Sequence, residues 1–144
     1  MRVVFVCTGN TCRSPMAEGI LKSLHSDFEV ISRGLYVPEE VSASFSSIKA
    51  MEQIDIDISN HKSRQLTVGD GEDADLIITM TQGHKKTILD ACPDFANKTF
   101  TLAEFAGESG DVSDPFGRDD EAYFECAKRI YSLISKADWS VKRD

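Results

Sequence analysis

Short unbroken apolar runs alternate along the chain with segments whose apolar positions recur every three or four residues. Residues 3–6, Val-Val-Phe-Val, form such a run, the signature of a strand buried on both faces. Ser14 and Pro15 then read as an N-cap and first helical position. Met16, Ala17, Ile20, Leu21 and Leu24 follow at helical spacing, which predicts a helix to about His25. Residues 28–31 predict a second strand closing at Ser32-Arg33-Gly34. Residues 41–53, opened by a serine-rich turn, predict a second helix. Residues 74–80, containing Leu-Ile-Ile-Thr-Met, predict a third strand. A helix over 81–92 should stop before Pro93, and 98–102 should be a fourth strand. The polar, glycine-containing stretch 108–117 reads as a loop. Asp119 or Asp120 can cap a last helix to about Ala137, with Tyr123, Ala127, Ile130 and Ile134 on one face.

Strand and helix in alternation imply an α/β fold. The expectation is a single domain over 1–144, built on a four-stranded parallel twisted sheet with helices on both faces and right-handed crossovers. Ligands of such sheets bind beyond the carboxyl ends of the strands. The first strand ends at Cys7, so the loop from Cys7 to Ser14 lies where a site is expected.

Composition narrows the function. The 144 residues carry 16 basic and 24 acidic side chains, a net charge of −8. A chain this acidic lacks the basic face of a general nucleic-acid binder or an anionic-lipid binder, so neither partner is expected. A local anion site remains compatible with that charge. No apolar run approaches the roughly 20 residues of a membrane span. The apolar start gives way to a polar loop too early for a signal peptide, which leads us to expect a cytoplasmic protein. In a reducing compartment Cys7, Cys12, Cys92 and Cys126 are thiols rather than disulfide partners. Cys92 and Cys126 read as core or near-surface thiols. His25 and His84 read as surface residues on helices.

The loop Cys7-Thr8-Gly9-Asn10-Thr11-Cys12-Arg13-Ser14-Pro15 carries the chemistry. Gly9 allows a tight turn and Asn10 tolerates a left-handed conformation. Successive N–H groups can then converge as an anion nest, with the positive end of the following helix aimed at the same point. Arg13 adds a planar fork matched to phosphate. Donors that hold phosphate also favour a thiolate at Cys7, placed beneath a bound phosphoryl group for attack on phosphorus. Ser14 can hydrogen-bond the sulfur and help it leave. The alternatives fail on their residues: there is no Gly-Lys-Ser/Thr ending of a nucleotide loop, and Gly9 is the loop's only glycine, against the dinucleotide fingerprint. Two cysteines five apart do not make a zinc site.

This loop, together with Ile31-Ser32-Arg33-Gly34, His61-Lys62-Ser63-Arg64-Gln65-Leu66, the strand ending at Met80 and Asp114-Pro115-Phe116, resembles the low-molecular-weight phosphotyrosine phosphatase family over nearly the whole chain. The resemblance implies a cysteinyl-phosphate intermediate and no cofactor or metal. It implies Asp114 as general acid and Phe116 as pocket wall. It also implies His61 as a brace for Asn10, with Ser32 in the same network. Phosphorylated proteins are the expected substrates, phosphate or vanadate the expected small ligands, and a monomer the expected state. Thr8, Gly9, Asn10, Thr11, Cys12 and Arg13 would line the substrate.

Position 11 divides the family. Phosphotyrosine members carry an aliphatic residue there, whereas Thr11 resembles the bacterial protein-arginine phosphatase branch. A threonine hydroxyl can accept an N–H of a phosphorylated guanidinium. Met80-Thr81-Gln82-Gly83-His84-Lys85, Phe100-Thr101-Leu102-Ala103-Glu104-Phe105 and Gly110-Asp111-Val112-Ser113-Asp114-Pro115-Phe116-Gly117 resemble that branch too, whereas 35–60 matches it only loosely. Phosphoarginine is therefore the first expectation and phosphotyrosine the alternative. An arsenate reductase would need two further cysteines placed to relay a disulfide. An inactive phosphate-binding module would be expected to lose Cys7, Arg13 or Asp114. Cys12 lies close enough in the loop to capture an oxidised Cys7 as a disulfide, a second expected property.

Overall fold

The computed structural model describes residues 1–140. Four parallel strands, β1 (Arg2–Cys7), β2 (Glu29–Gly34), β3 (Leu76–Thr79) and β4 (Thr99–Thr101), form one sheet in the order β2-β1-β3-β4. Six helices flank it: α1 (Arg13–Leu24), α2 (Phe45–Glu52), α3 (Val68–Asp73), α4 (Gln82–Ala91), α5 (Leu102–Phe105) and α6 (Asp120–Lys136). This is the expected α/β architecture.

The pleat of β1 explains the layers. Val3, Phe5 and Cys7 face one side and join the core formed with Met16, Ile20 and Leu21 of α1 and Ile130 and Leu133 of α6. Val4 and Val6 face the other side, with Ile77 and with Ile88 of α4. Successive side chains point to opposite faces, so an unbroken apolar run is what a doubly covered strand requires. Phe5, Met16, Ile20 and Leu21 are fully buried, and each contributes about 1.5–3 kcal/mol by leaving water. Trp139 closes the larger core, edge-on to Phe5 and tilted against Phe105, its indole N–H donating to the Ile134 carbonyl.

Several boundaries depart from expectation. The first helix begins at Arg13, with Cys12 in the cap position and no side-chain cap; Ser14 lies inside the first turn and Pro15 after it. The Ser14 hydroxyl is engaged elsewhere, and proline remains tolerated because first-turn N–H groups have no intrahelical partner. The second helix is shorter than 41–53. Ser44 caps it by accepting the Ser47 N–H, while its own N–H binds the Thr11 carbonyl and holds the preceding segment extended. Two short helices were not anticipated, α3 and α5. Each opens on a capping box, Thr67 with Asp70 and Thr101 with Glu104, a reciprocal pair that satisfies two backbone donors at once. Asp119 caps α6.

With β1 between β2 and β3, the chain leaves β1 toward one edge and later returns toward the other. The carboxyl end of β1 is thus the switch point of the sheet. Gly34, ending β2, lies against the loop that follows β1. A Cβ there would sit 2.5 Å from Val37 Cγ2 and 2.8 Å from the Thr8 carbonyl oxygen. Gly34→Ala should therefore cost about 1–3 kcal/mol, read as a lower midpoint in urea denaturation, because a backbone oxygen cannot move aside as a side-chain tip can.

Candidate active site

The loop after β1 is held from outside by its carbonyls. Leu35 and Tyr36 N–H groups donate to the Cys7 and Thr8 carbonyls at 3.0 and 2.9 Å, and the Ser44 N–H donates to Thr11 at 2.9 Å. His61 Nε2 donates to the Asn10 carbonyl at 2.7 Å. No peptide bond is cis among the described residues. In a trans peptide the N–H of the next residue points opposite to the carbonyl. The N–H groups of Thr8, Gly9, Thr11 and Cys12 therefore face the hollow of the loop, joined by the first-turn N–H groups of α1. The result is a concave donor surface over the end of β1, with Cys7 beneath it.

Asn10 organises this loop. It is fully buried and adopts φ +58°, a left-handed conformation that asparagine tolerates. Its Oδ1 accepts the Arg64 N–H at 2.9 Å, which fixes the orientation of the amide. Its Nδ2 donates to Ser14 Oγ at 2.8 Å and to Ser32 Oγ at 3.0 Å. Ser32 passes its own hydrogen to Glu18 Oε1 at 2.7 Å. Ser14, having accepted from Asn10, turns its hydrogen to Cys7 Sγ at 2.9 Å. A chain of donors thus ends on the sulfur. Ser14 and Ser32 stand where the supporting network was expected, and His61 braces Asn10 through the backbone carbonyl.

Arg13 is 4% exposed. Its Nη1 donates to the Val112 carbonyl at 2.9 Å, and its Nη2 lies 3.6 Å from Asp114 Oδ2. The Val112 N–H in turn binds the Met80 carbonyl at the end of β3. The arginine therefore ties α1 to the loop 108–117 and to the sheet. The other carboxylate oxygen, Asp114 Oδ1, accepts the Phe116 N–H at 3.0 Å, which leaves Oδ2 facing the cleft. Cys7, Thr8, Gly9, Thr11, Cys12, Arg13, Asp114 and Phe116 line a cleft of about 240 Å³. Residues a hundred positions apart thus meet, with Phe116 three-quarters exposed at the mouth.

Cys12 is buried, its thiol near Ser44 Oγ and Tyr123 Oη at 3.6 and 3.8 Å. All four cysteines are free thiols. Burial pushes the Tyr123 hydroxyl up to about 12, reinforced by its contact with Cys12. Cys126 is likewise pushed up to about 12 by burial, against the pull of the Arg13 cation, so it is an inert core thiol. No group of three or more His, Cys, Asp or Glu side chains able to hold a metal occurs among the described residues.

His84 corrects the sequence reading. It is 7% exposed rather than on the surface, and its Nε2 lies 2.9 Å from Thr8 Oγ1. Burial, and secondarily the Arg13 cation, lower its pKa to about 4. Its place just after β3, at the carboxyl edge of the sheet, was the available signal, and the polar segment around it concealed that. Glu18, which ends one branch of the Asn10 network, was also missed.

Residues 2–144 match the family described as low molecular weight phosphotyrosine protein phosphatase. The chain is 39% identical over 136 residues to the low molecular weight protein-tyrosine-phosphatase PtpB of Staphylococcus epidermidis, covering 94% of this chain and 96% of that protein. It is 38% identical over 137 residues to a protein-arginine-phosphatase of Geobacillus stearothermophilus, covering 94% and 92%. A solved YwlE arginine phosphatase, described as a C7S mutant with phosphorylated active site serine, superposes with a TM-score of 0.90 at 35% identity, covering 94% of this chain and 92% of that one. With the thiol-centred loop and this likeness along almost its full length, the chain belongs to the low molecular weight phosphotyrosine protein phosphatase family and is a cysteine-based phosphoprotein phosphatase.

Proposed function

We propose that the protein hydrolyses phosphoarginine on proteins through a phosphocysteine at Cys7. The observation that carries the mechanism is the directed hydrogen bond from Ser14 to Cys7 Sγ beneath the inward-facing N–H groups. A phosphoryl group seated in the hollow shares three oxygens among those N–H groups and the Arg13 fork, which stabilises the charge that develops in transfer. Cys7 Sγ attacks phosphorus as a thiolate, and an S–P bond forms as the P–N bond breaks. Asp114 gives its proton to the departing guanidine nitrogen. The freed side chain leaves. Asp114, now a carboxylate, takes a proton from water as the water oxygen attacks phosphorus. The S–P bond breaks, the thiolate returns under the Ser14 hydrogen bond, and inorganic phosphate departs. Arg13 Nη2 near Oδ2 keeps the carboxylate oriented between the two steps.

Thr11 supports phosphoarginine over phosphotyrosine. It lines the cleft with Phe116, and its hydroxyl can accept an N–H of the planar guanidinium, which an aliphatic side chain cannot. Gly117 follows the single aromatic, so one aromatic side chain rather than two walls the mouth there. A relative of each specificity exists at nearly equal identity. The second reading, phosphotyrosine, is favoured by the exposed ring of Phe116, an apolar face on which a phenyl group could lie.

Turnover of phosphoarginine-bearing protein against phosphotyrosine peptide tests the assignment. Wild type should favour phosphoarginine in kcat/KM, and Thr11→Ile should shift the ratio of the two substrates toward phosphotyrosine by roughly tenfold or more, because a site built around a polar partner discriminates strongly. An unchanged ratio would remove Thr11 as the selector. Asp114→Asn should slow dephosphorylation by about 10²–10⁴-fold. The loss should shrink for leaving groups that need no proton, such as 4-nitrophenolate; equal losses across leaving groups would reduce Asp114 to a loop-holding residue.

A further inference from the structure

His84 is a buried titratable side chain that the reaction above does not use. Its place is fixed from two sides: Thr81 Oγ1 accepts its backbone N–H at 3.1 Å, and Asp111 Oδ1 accepts the neighbouring Gln82 N–H at 3.0 Å. The first turn of α4 therefore holds the imidazole against Thr8, the residue directly after Cys7.

The direction of that hydrogen bond can be argued. Burial beside the Arg13 cation keeps the ring neutral, with Asp111 and Asp114 pulling weakly the other way, so it carries one N–H. Nδ1 is buried and has no hydrogen-bond partner among the described residues. A hydrogen on Nδ1 would bury an unpaired donor, which folded proteins tolerate less well than an unpaired acceptor. The hydrogen therefore sits on Nε2 and is donated to Thr8 Oγ1. Thr8 Oγ1 then accepts, and its own hydrogen must go elsewhere. It has no second partner among the described residues, its side chain is exposed, and it lines the cleft with Cys7, Arg13 and Asp114.

We propose that His84 is a positioning residue that makes the Thr8 hydroxyl a donor directed at a non-bridging oxygen of the phosphoryl group over Cys7. This rests on the phosphatase reading of the cleft. It gives the site a second relay, His84 to Thr8 to phosphoryl oxygen, beside the first, Asn10 to Ser14 to sulfur. The two act on different atoms: the first on the nucleophile and leaving sulfur, the second on the group transferred.

The test uses the inhibition constant of inorganic phosphate, together with kcat and KM for p-nitrophenyl phosphate. Wild-type turnover and phosphate inhibition check the cleft itself; absence of both would overturn the phosphatase reading and this proposal with it. Given both, Thr8→Val and His84→Leu should each raise the phosphate inhibition constant about 3–10-fold, the net worth of one hydrogen bond at a position open to water. KM should rise with it, more than kcat falls. The double variant should be no worse than Thr8→Val alone. His84→Gln, whose amide nitrogen can stand where Nε2 stands, should recover most of the loss, and His84→Asn should not. A Thr8→Val enzyme with unchanged phosphate inhibition would overturn the proposal, and so would a double variant whose loss is the product of the two singles. Thr8 is exposed, so Thr8→Val tests the hydroxyl even if His84→Leu fails to fold, and His84→Gln against His84→Asn then tests the relay.

Discussion

One buried amide sets the geometry on which the site depends. Asn10 lies at the left-handed bend of the loop and spends both hydrogens of its side chain on serine hydroxyls, while its oxygen takes the Arg64 N–H. Because the amide cannot be turned without leaving buried donors facing donors, the direction of every later bond is fixed. Ser14 has to give its hydrogen to Cys7, and Ser32 to Glu18. An aspartate of the same shape would offer only acceptors, and Ser14 would then turn its hydrogen away from the sulfur. The left-handed conformation costs about 1 kcal/mol, which the four hydrogen bonds made by this residue offset.

The fold supplies what that amide needs. Parallel strands place the loop after β1, the loop after β3 and the segment 61–66 at one edge of the sheet. The groups that hold the first loop come from its neighbours: Leu35 and Tyr36 from beyond β2, Ser44 from the cap of α2, His61 and Arg64 from the segment before α3. These contacts all take carbonyls or the Asn10 side chain, so the inward-facing N–H groups stay available to an anion. Arg13 performs the same service across the cleft, with one guanidinium nitrogen anchored to Val112 and another near Asp114. A protein of net charge −8 can thereby hold an anion, because backbone donors and one buried cation act at short range where the acidic surface is screened.

The sequence made the sheet and the loop legible because both rest on local rules. Unbroken apolar runs mark strands covered on two faces, and the spacing of Cys7, Gly9, Asn10, Arg13 and Ser14 between a strand and a helix is chemistry compressed into eight residues. What it concealed is non-local. Ser14 reads as a helix cap as well as a donor to Cys7, and that its hydroxyl is also taken by Asn10, which leaves the cap unmade, cannot be read from a helix-start pattern. His84 looked exposed, since the segment around it is polar and its burial comes from packing beside Thr8 and Arg13. The segment 41–44 looked helical until its tie to Thr11 held it extended. The helices α3 and α5 were legible in principle: Thr67 with Asp70 and Thr101 with Glu104 are capping boxes, but each opens a helix too short to show an apolar period.

In this mechanism sulfur is the atom that carries the phosphoryl group. Acid quench of the enzyme during steady turnover of p-nitrophenyl phosphate, followed by peptide mass spectrometry, examines this directly. A phosphoryl group should be found on the peptide holding Cys7, assigned to its sulfur and absent from Cys7→Ala. A phosphoryl group found on another residue, or continued turnover by Cys7→Ala with no phosphorylated residue, would contradict it.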